Sequence, residues 1–135
     1  MKKLLLLFLF SQSLLYGQQF REVDSVFNIL NNMKVLNTSV ISGYLIKFQT
    51  KNKIQLIEID QRFIDLAAKS GNRYLYAYFL FNSAWLQDFP IQRKILSEAF
   101  SIAKQNNYFD LMGIIDETRG IYFKQNSMFD SAMTY

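Results

Sequence analysis

Two groups of acidic side chains could supply chemistry: Glu58, Asp60 and Asp65, then Asp110, Asp116 and Glu117. Paired carboxylates are the raw material of general acid and base catalysis, one giving a proton while the other takes one. Asp116 and Glu117 are neighbours, however, and on a helix they point about 100° apart, which gives them no shared site. Solvated helix faces account for all of these carboxylates better. The chain has no Cys and no His. That removes a thiolate nucleophile, an imidazole base, a haem held by His and zinc sites of the usual thiolate or imidazole kind. Neither a glycine-rich phosphate loop nor a serine nucleophile elbow nor an EF-hand loop occurs. The expectation is a protein that is not an enzyme, with no catalytic residue, no metal and no cofactor.

The elements that would carry any site follow from composition and pattern. Half of the 135 residues are hydrophobic and 16% are aromatic, enough to bury a core and far more than a disordered chain carries. Five Gly and one Pro are too few for a β-sandwich, which needs turn residues at short intervals, so an all-α fold of one domain is expected. The opening "MKKLLLLFLFSQSLLYGQQF" runs from two lysines through an apolar stretch, Leu4 to Phe10, to small and polar residues, the order of a secretory signal peptide. Its unbroken apolar run is seven residues, against about 20 needed to span a bilayer. We expect an exported, periplasmic or secreted protein, cleaved near Gly17, which touches a membrane only through an uncleaved leader or a helix beyond this segment. Without Cys it carries no lipid anchor and no disulfide. Losing Lys2 and Lys3 leaves 13 basic against 11 acidic residues, a balance that does not indicate a nucleic-acid surface.

Past the leader the chain matches itself at a shift of 36 residues. "FIDLAAKSGNRYLYAYFLFNSAW", from Phe63, lies over "AFSIAKQNNYFDLMGIIDETRGI", from Ala99, with Leu66 on Ile102, Ala67 on Ala103, Leu75 on Leu111 and Ala84 on Gly120. Each copy has an apolar stripe at helical spacing, a polar break and a second helical pattern, so the unit is two helices and a turn. A fainter copy begins at Phe27. The pattern predicts helices over Arg21 to Met33, Ser39 to Phe48, Ile54 to Lys69, Arg73 to Gln87, Ile91 to Gln105 and Phe109 to Lys124, with a last one opening at Met128. Within this, Val40 to Ile59 is rich in β-branched residues that could equally form two strands; its phase with the repeat favours helix. The run "YLYAYFLF", Tyr74 to Phe81, is apolar nearly all round and predicts a helix covered on several sides.

The close, "RGIYFKQNSMFDSAMTY", resembles a tetratricopeptide repeat, in which a small residue on the first helix nests against another twelve positions later on the second. Gly120 and Ala132 stand at that spacing, with Phe123 and Phe129 in the aromatic places, and Ala84, Ala99 and Ala103 are the corresponding small residues earlier in the chain. The match is degenerate: Asp116 sits where the pattern has a large aromatic, Arg119 where it has a leucine, and Leu96 replaces the small residue expected twelve after Ala84. The resemblance implies a short right-handed superhelix of antiparallel helix pairs over residues 63–135, a helical region over 18–62 that holds a possible degenerate first repeat, and the leader over 1–17. It further implies non-catalytic binding of a protein or peptide partner on a concave face, with Tyr78, Phe81, Trp85 and Asp88 in one unit and Glu117, Ile121, Lys124 and Gln125 in the next. On that pattern Tyr135 falls midway along a second helix, so the chain is expected to be a fragment of a longer array. By analogy, a leader followed by such repeats looks like the periplasmic sensing region of a bacterial signal-transduction protein. The competing expectation is a stand-alone secreted helical bundle that binds a small apolar ligand or a peptide.

Overall fold

The computed structural model describes residues 2–126. Six helices account for it, with no strand among the described residues: α1 (Lys2–Asn31), α2 (Thr38–Leu45), α3 (Lys53–Ser70), α4 (Arg73–Ser83), α5 (Phe89–Gln105) and α6 (Phe109–Gln125). Short 3₁₀ turns, Ile46–Phe48 and Ala84–Leu86, tighten the ends of α2 and α4. The helix expected at Met128, and the packing roles of Phe129 and Ala132, lie outside the described residues.

Local chemistry places the helix ends. Asn37, Asn52 and Asn72 each cap a helix, their side chains accepting from the backbone amides of Val40, Gln55 and Leu75. At Asn52 the Gln55 side chain reaches back to the cap amide, completing a capping box. These caps explain why the β-branched stretch from Val40 to Ile59 is helical: its backbone amides have partners at each helix start, and Ile41 and Ile59 are buried on helix faces. Pro90 stands in the first turn of α5, where its missing N–H costs nothing. Gly71 ends α3 with φ of 72°, a left-handed conformation that glycine adopts without penalty, and Asn107 does the same between α5 and α6 at φ of 57°.

These two left-handed residues stand 36 positions apart, and the same interval separates the starts of α3 and α5 and those of α4 and α6. Packing follows chain order. Asn82 meets Asp60 and Phe79 stacks on Phe63, with ring centroids 4.4 Å apart, so α3 and α4 run antiparallel about the Gly71 turn. The Phe89–Phe123 ring pair and the Ser97–Arg119 hydrogen bond define α5 and α6 in the same way. By contrast α4 and α6 run parallel, since Tyr74 donates to the Asp110 carboxylate and Trp85 lies edge-on to Tyr122 at 5.0 Å. Asp110 also accepts from the backbone N–H of Thr38 at 3.3 Å. Thr38, Tyr74 and Asp110 are spaced at 36, so one carboxylate ties together the first turns of α2, α4 and α6. As the all-round apolar run predicts, Tyr74, Leu75, Ala77, Tyr78, Phe79 and Leu80 of α4 are all buried.

One sequence expectation changes. The segment expected to be a leader and the first predicted helix form one 30-residue helix, because nothing between them breaks it; Gly17 alone costs about 1 kcal/mol. Burial nevertheless divides that helix sharply. Every residue from Lys2 to Gln18 is exposed, whereas Gln19, Val23, Val26, Phe27 and Leu30 are buried. Among the small residues of the repeat pattern, Ala84, Ala99 and Ala103 are fully buried; the partner expected for Gly120, Ala132, lies outside the described residues. Leu96, set where a small residue was expected, is itself buried.

Candidate functional site

The third helix reads Leu56, Ile59, Asp60, Phe63, Ala67 along one stripe at helical spacing, which puts a carboxylate among apolar neighbours. Asp60 is 6% exposed, so it is not the solvated side chain that its grouping with Glu58 and Asp65 suggests. Asn82 of α4 donates to its Oδ1 at 3.0 Å. Burial pushes the Asp60 carboxyl up to about 6, against the Asn82 hydrogen bond, which pulls it down. Taking a charge out of water here outweighs what one amide donor returns.

Beside Asp60 lies a half-open pocket of about 240 Å³ lined by α2, α3, α4 and both 3₁₀ turns. Phe48, Phe63, Tyr78 and Trp85 give it aromatic walls; Ser42 and Asn82 add polar groups. The ring of Phe48 meets that of Phe63 edge-on at 5.8 Å. Burial pushes the Tyr78 phenol up to about 12, the negative charge of Asp60 adds to this, and the Ser42 hydroxyl opposes it. At neutral pH the pocket thus holds a protonated phenol and one carboxyl that titrates nearby. One such carboxyl with no second group of similar pKa is a poor acid and base pair but a good anchor for a hydrogen-bond donor or a cation. No three or more carboxylates gather as a metal-ligand set among the described residues.

Of the residues assigned to a concave face, Tyr78 and Trp85 line this pocket. Tyr78 is buried; Trp85 stands at the rim, 50% exposed, and is therefore not a core residue. Phe81 is half-buried, its ring 6.0 Å from that of Tyr78. Asp88 is exposed at the start of α5 and makes no side-chain cap. Glu117, Ile121, Lys124 and Gln125 are exposed on α6 and take no part in the pocket. Phe123 packs in the opposite direction, under Phe89 and Arg93 of α5. Of the other acids, Asp110 joins three helix starts, Asp116 pairs with Arg119 at 3.3 Å, Asp65 accepts from Gln61, and Glu58 is half-buried with one carboxylate oxygen that finds no hydrogen-bond partner among the described residues.

Sequence reasoning missed Asp60, Asn82, Ser42 and Phe48 as a set. The signal that could have found Asp60 is its phase: alone among the acids of α3 it falls on the stripe of Leu56, Ile59 and Phe63. No family model, curated protein or solved structure matches the chain.

Proposed function

We propose that the chain is an exported, non-catalytic recognition module built from tetratricopeptide-like helix pairs, part of the periplasmic sensing region of a bacterial signalling protein. The observation that carries the repeat reading is the convergence of Thr38, Tyr74 and Asp110, three residues at 36-residue intervals, at the first turns of α2, α4 and α6. Unrelated helices of a bundle have no reason to meet at repeat-equivalent positions. Support for export is the change in burial at Gln19: residues before it add nothing to the core, so a leader could be removed without cost to packing. Support for recognition is the pocket, whose rim carries an exposed tryptophan of the kind that anchors protein interfaces.

One observation favours the second reading, a small helical binder: the pocket is lined by residues of α2, α3, α4 and the two 3₁₀ turns and draws on no other helix. Selection of displayed peptides on the immobilised full chain separates the two. A repeat-based module enriches a peptide motif whose binding falls at least tenfold in both Trp85→Ala and Ile121→Ala, because an extended groove uses α4 and α6 together. Enrichment that depends on Trp85 alone favours the small binder, and a selection that never rises above background removes the peptide-recognition reading.

A further inference from the structure

Asp60 is the one charged side chain lining its pocket, and no Lys or Arg lines either that pocket or the cleft on the other side of Asp60 formed with Ile57, Ile64, Ser83 and Ile95. Its Oδ1 is occupied by Asn82; its other oxygen takes no hydrogen bond among the described residues. Buried carboxylates are ordinarily paired with a cation or held by several donors, because the desolvation they suffer is otherwise uncompensated. Here no Lys or Arg pairs with Asp60 among the described residues, and the walls that remain are of the type that attracts a cation. The Phe48 ring already carries the Lys47 ammonium at 5.5 Å, but the Tyr78 and Trp85 rings in the lining are of the kind that favours a cation close by, and the Ser42 and Tyr78 oxygens can accept hydrogen bonds.

Size and geometry narrow the choice of cation. The volume is below the roughly 300 to 1,000 Å³ of pockets that enclose drug-sized ligands, so a charged group on a short stem is enough to fill it. A guanidinium makes its best contact by bridging both carboxylate oxygens, one of which Asn82 already holds. An ammonium is a compact charge that needs a single oxygen and neighbouring acceptors.

We propose that this pocket binds an alkylammonium group, a protonated amine on a short apolar stem, with Asp60 as its counter-ion. The inference rests on reading the chain as a recognition module and names the chemistry that its pocket takes. Two sources share that chemistry, a free amine and the side chain of a lysine in a peptide.

The sole tryptophan stands at the pocket rim and serves as reporter. The fluorescence of the full chain is followed while n-butylammonium, Nα-acetyl-lysine amide, n-butylguanidinium or 1-butanol is added at pH 7.5. The expected result is a saturable change with the two ammonium compounds, at least tenfold weaker binding of the guanidinium, and none of the alcohol. Tighter binding of the lysine derivative identifies a peptide as the source, and tighter binding of butylammonium identifies a free amine. Asp60→Asn, which keeps the shape and an acceptor for Asn82, is expected to lower ammonium affinity at least tenfold while its circular dichroism and melting stay those of a folded chain. Among the residues lining the two clefts beside Asp60 the only other titratable group is Tyr78, which keeps its proton throughout; Glu58, Arg62 and Asp65 of the same helix lie outside both linings. Lowering the pH to 5 is therefore expected to weaken binding about tenfold, as the carboxyl titrating near 6 takes up its proton. Equal binding of alcohol and amine, unchanged affinity in Asp60→Asn, tighter binding of the guanidinium, or no saturable change with any compound overturns the proposal. None of these bears on peptide enrichment at the immobilised chain, so recognition itself stands or falls separately.

Discussion

Replacing Asp60 by Asn is expected to stabilise the protein, and by an amount that depends on pH. In the folded chain this carboxyl keeps its proton to about pH 6, whereas its ordinary value is 3.8. Between those two values the folded state binds the proton more firmly than the unfolded state, so stability falls as the pH rises through this window, and the whole penalty is present above it. At about 1.4 kcal/mol for each pH unit, the difference amounts to roughly 3 kcal/mol at pH 7.5 and about 1 kcal/mol at pH 4.5. Asn has the same shape, carries no charge to desolvate and still offers an oxygen to Asn82. Urea unfolding of both proteins at the two pH values, followed by circular dichroism, measures the difference directly. Asp60→Asn is expected to be more stable by about 2 to 3 kcal/mol at pH 7.5, with most of that gain gone at pH 4.5. An equal gap at both values, or a less stable variant at pH 7.5, refutes the reasoning that burial of an uncompensated charge strains this pocket.

Three further outcomes follow from other parts of the fold. Tyr122 is buried beneath Trp85 and its hydroxyl finds no partner among the described residues, so Tyr122→Phe is expected to be neutral or to stabilise by about 1 kcal/mol in the same urea assay. Gly71 has open space around its Cβ position but a φ of 72°, so Gly71→Ala carries a backbone penalty alone, about 1 kcal/mol, read as a fall of a few degrees in melting temperature. Expression in an exporting bacterium is expected to yield a mature chain that begins near Gln18; intact mass places the cleavage, and a chain that keeps residues 1–17 contradicts the leader reading.

Helices were legible wherever local signals agreed. Pro90, Gly71 and the Asn72 cap mark boundaries that any sequence reading can use, and the apolar run at Tyr74 to Phe81 announces a helix covered on several sides. The stretch from Val40 to Ile59 was ambiguous because β-branched residues suit strands as well, and it is the capping box at Asn52 and Gln55 that speaks for helix. The ends of α2 and α4 were less visible: both helices were expected to run on, and both tighten into 3₁₀ turns at Ile46 and Ala84. Trp85 lies in the second of these turns, which swings it to the rim and leaves it half exposed. Asp60 was the deepest omission. Grouping acids by sequence proximity placed it with Glu58 and Asp65, when its helical phase belongs with Ile59 and Phe63. The pairing of Asp60 with Asn82, and of Ser42 with Tyr78 across the pocket, depends on how α2, α3 and α4 stack, which no local pattern reveals.

The measurement closest to the central claim, that the pocket of α2, α3 and α4 is a recognition site organised around Asp60, is the titration of that carboxyl by carbon-13 NMR, assigned by its loss in Asp60→Asn. In the free chain the midpoint is expected near 6, and at saturating n-butylammonium it is expected to fall toward the ordinary value of 3.8, because a bound cation favours the charged form. A midpoint already near 4 in the free chain, or one that the amine does not move, contradicts the account.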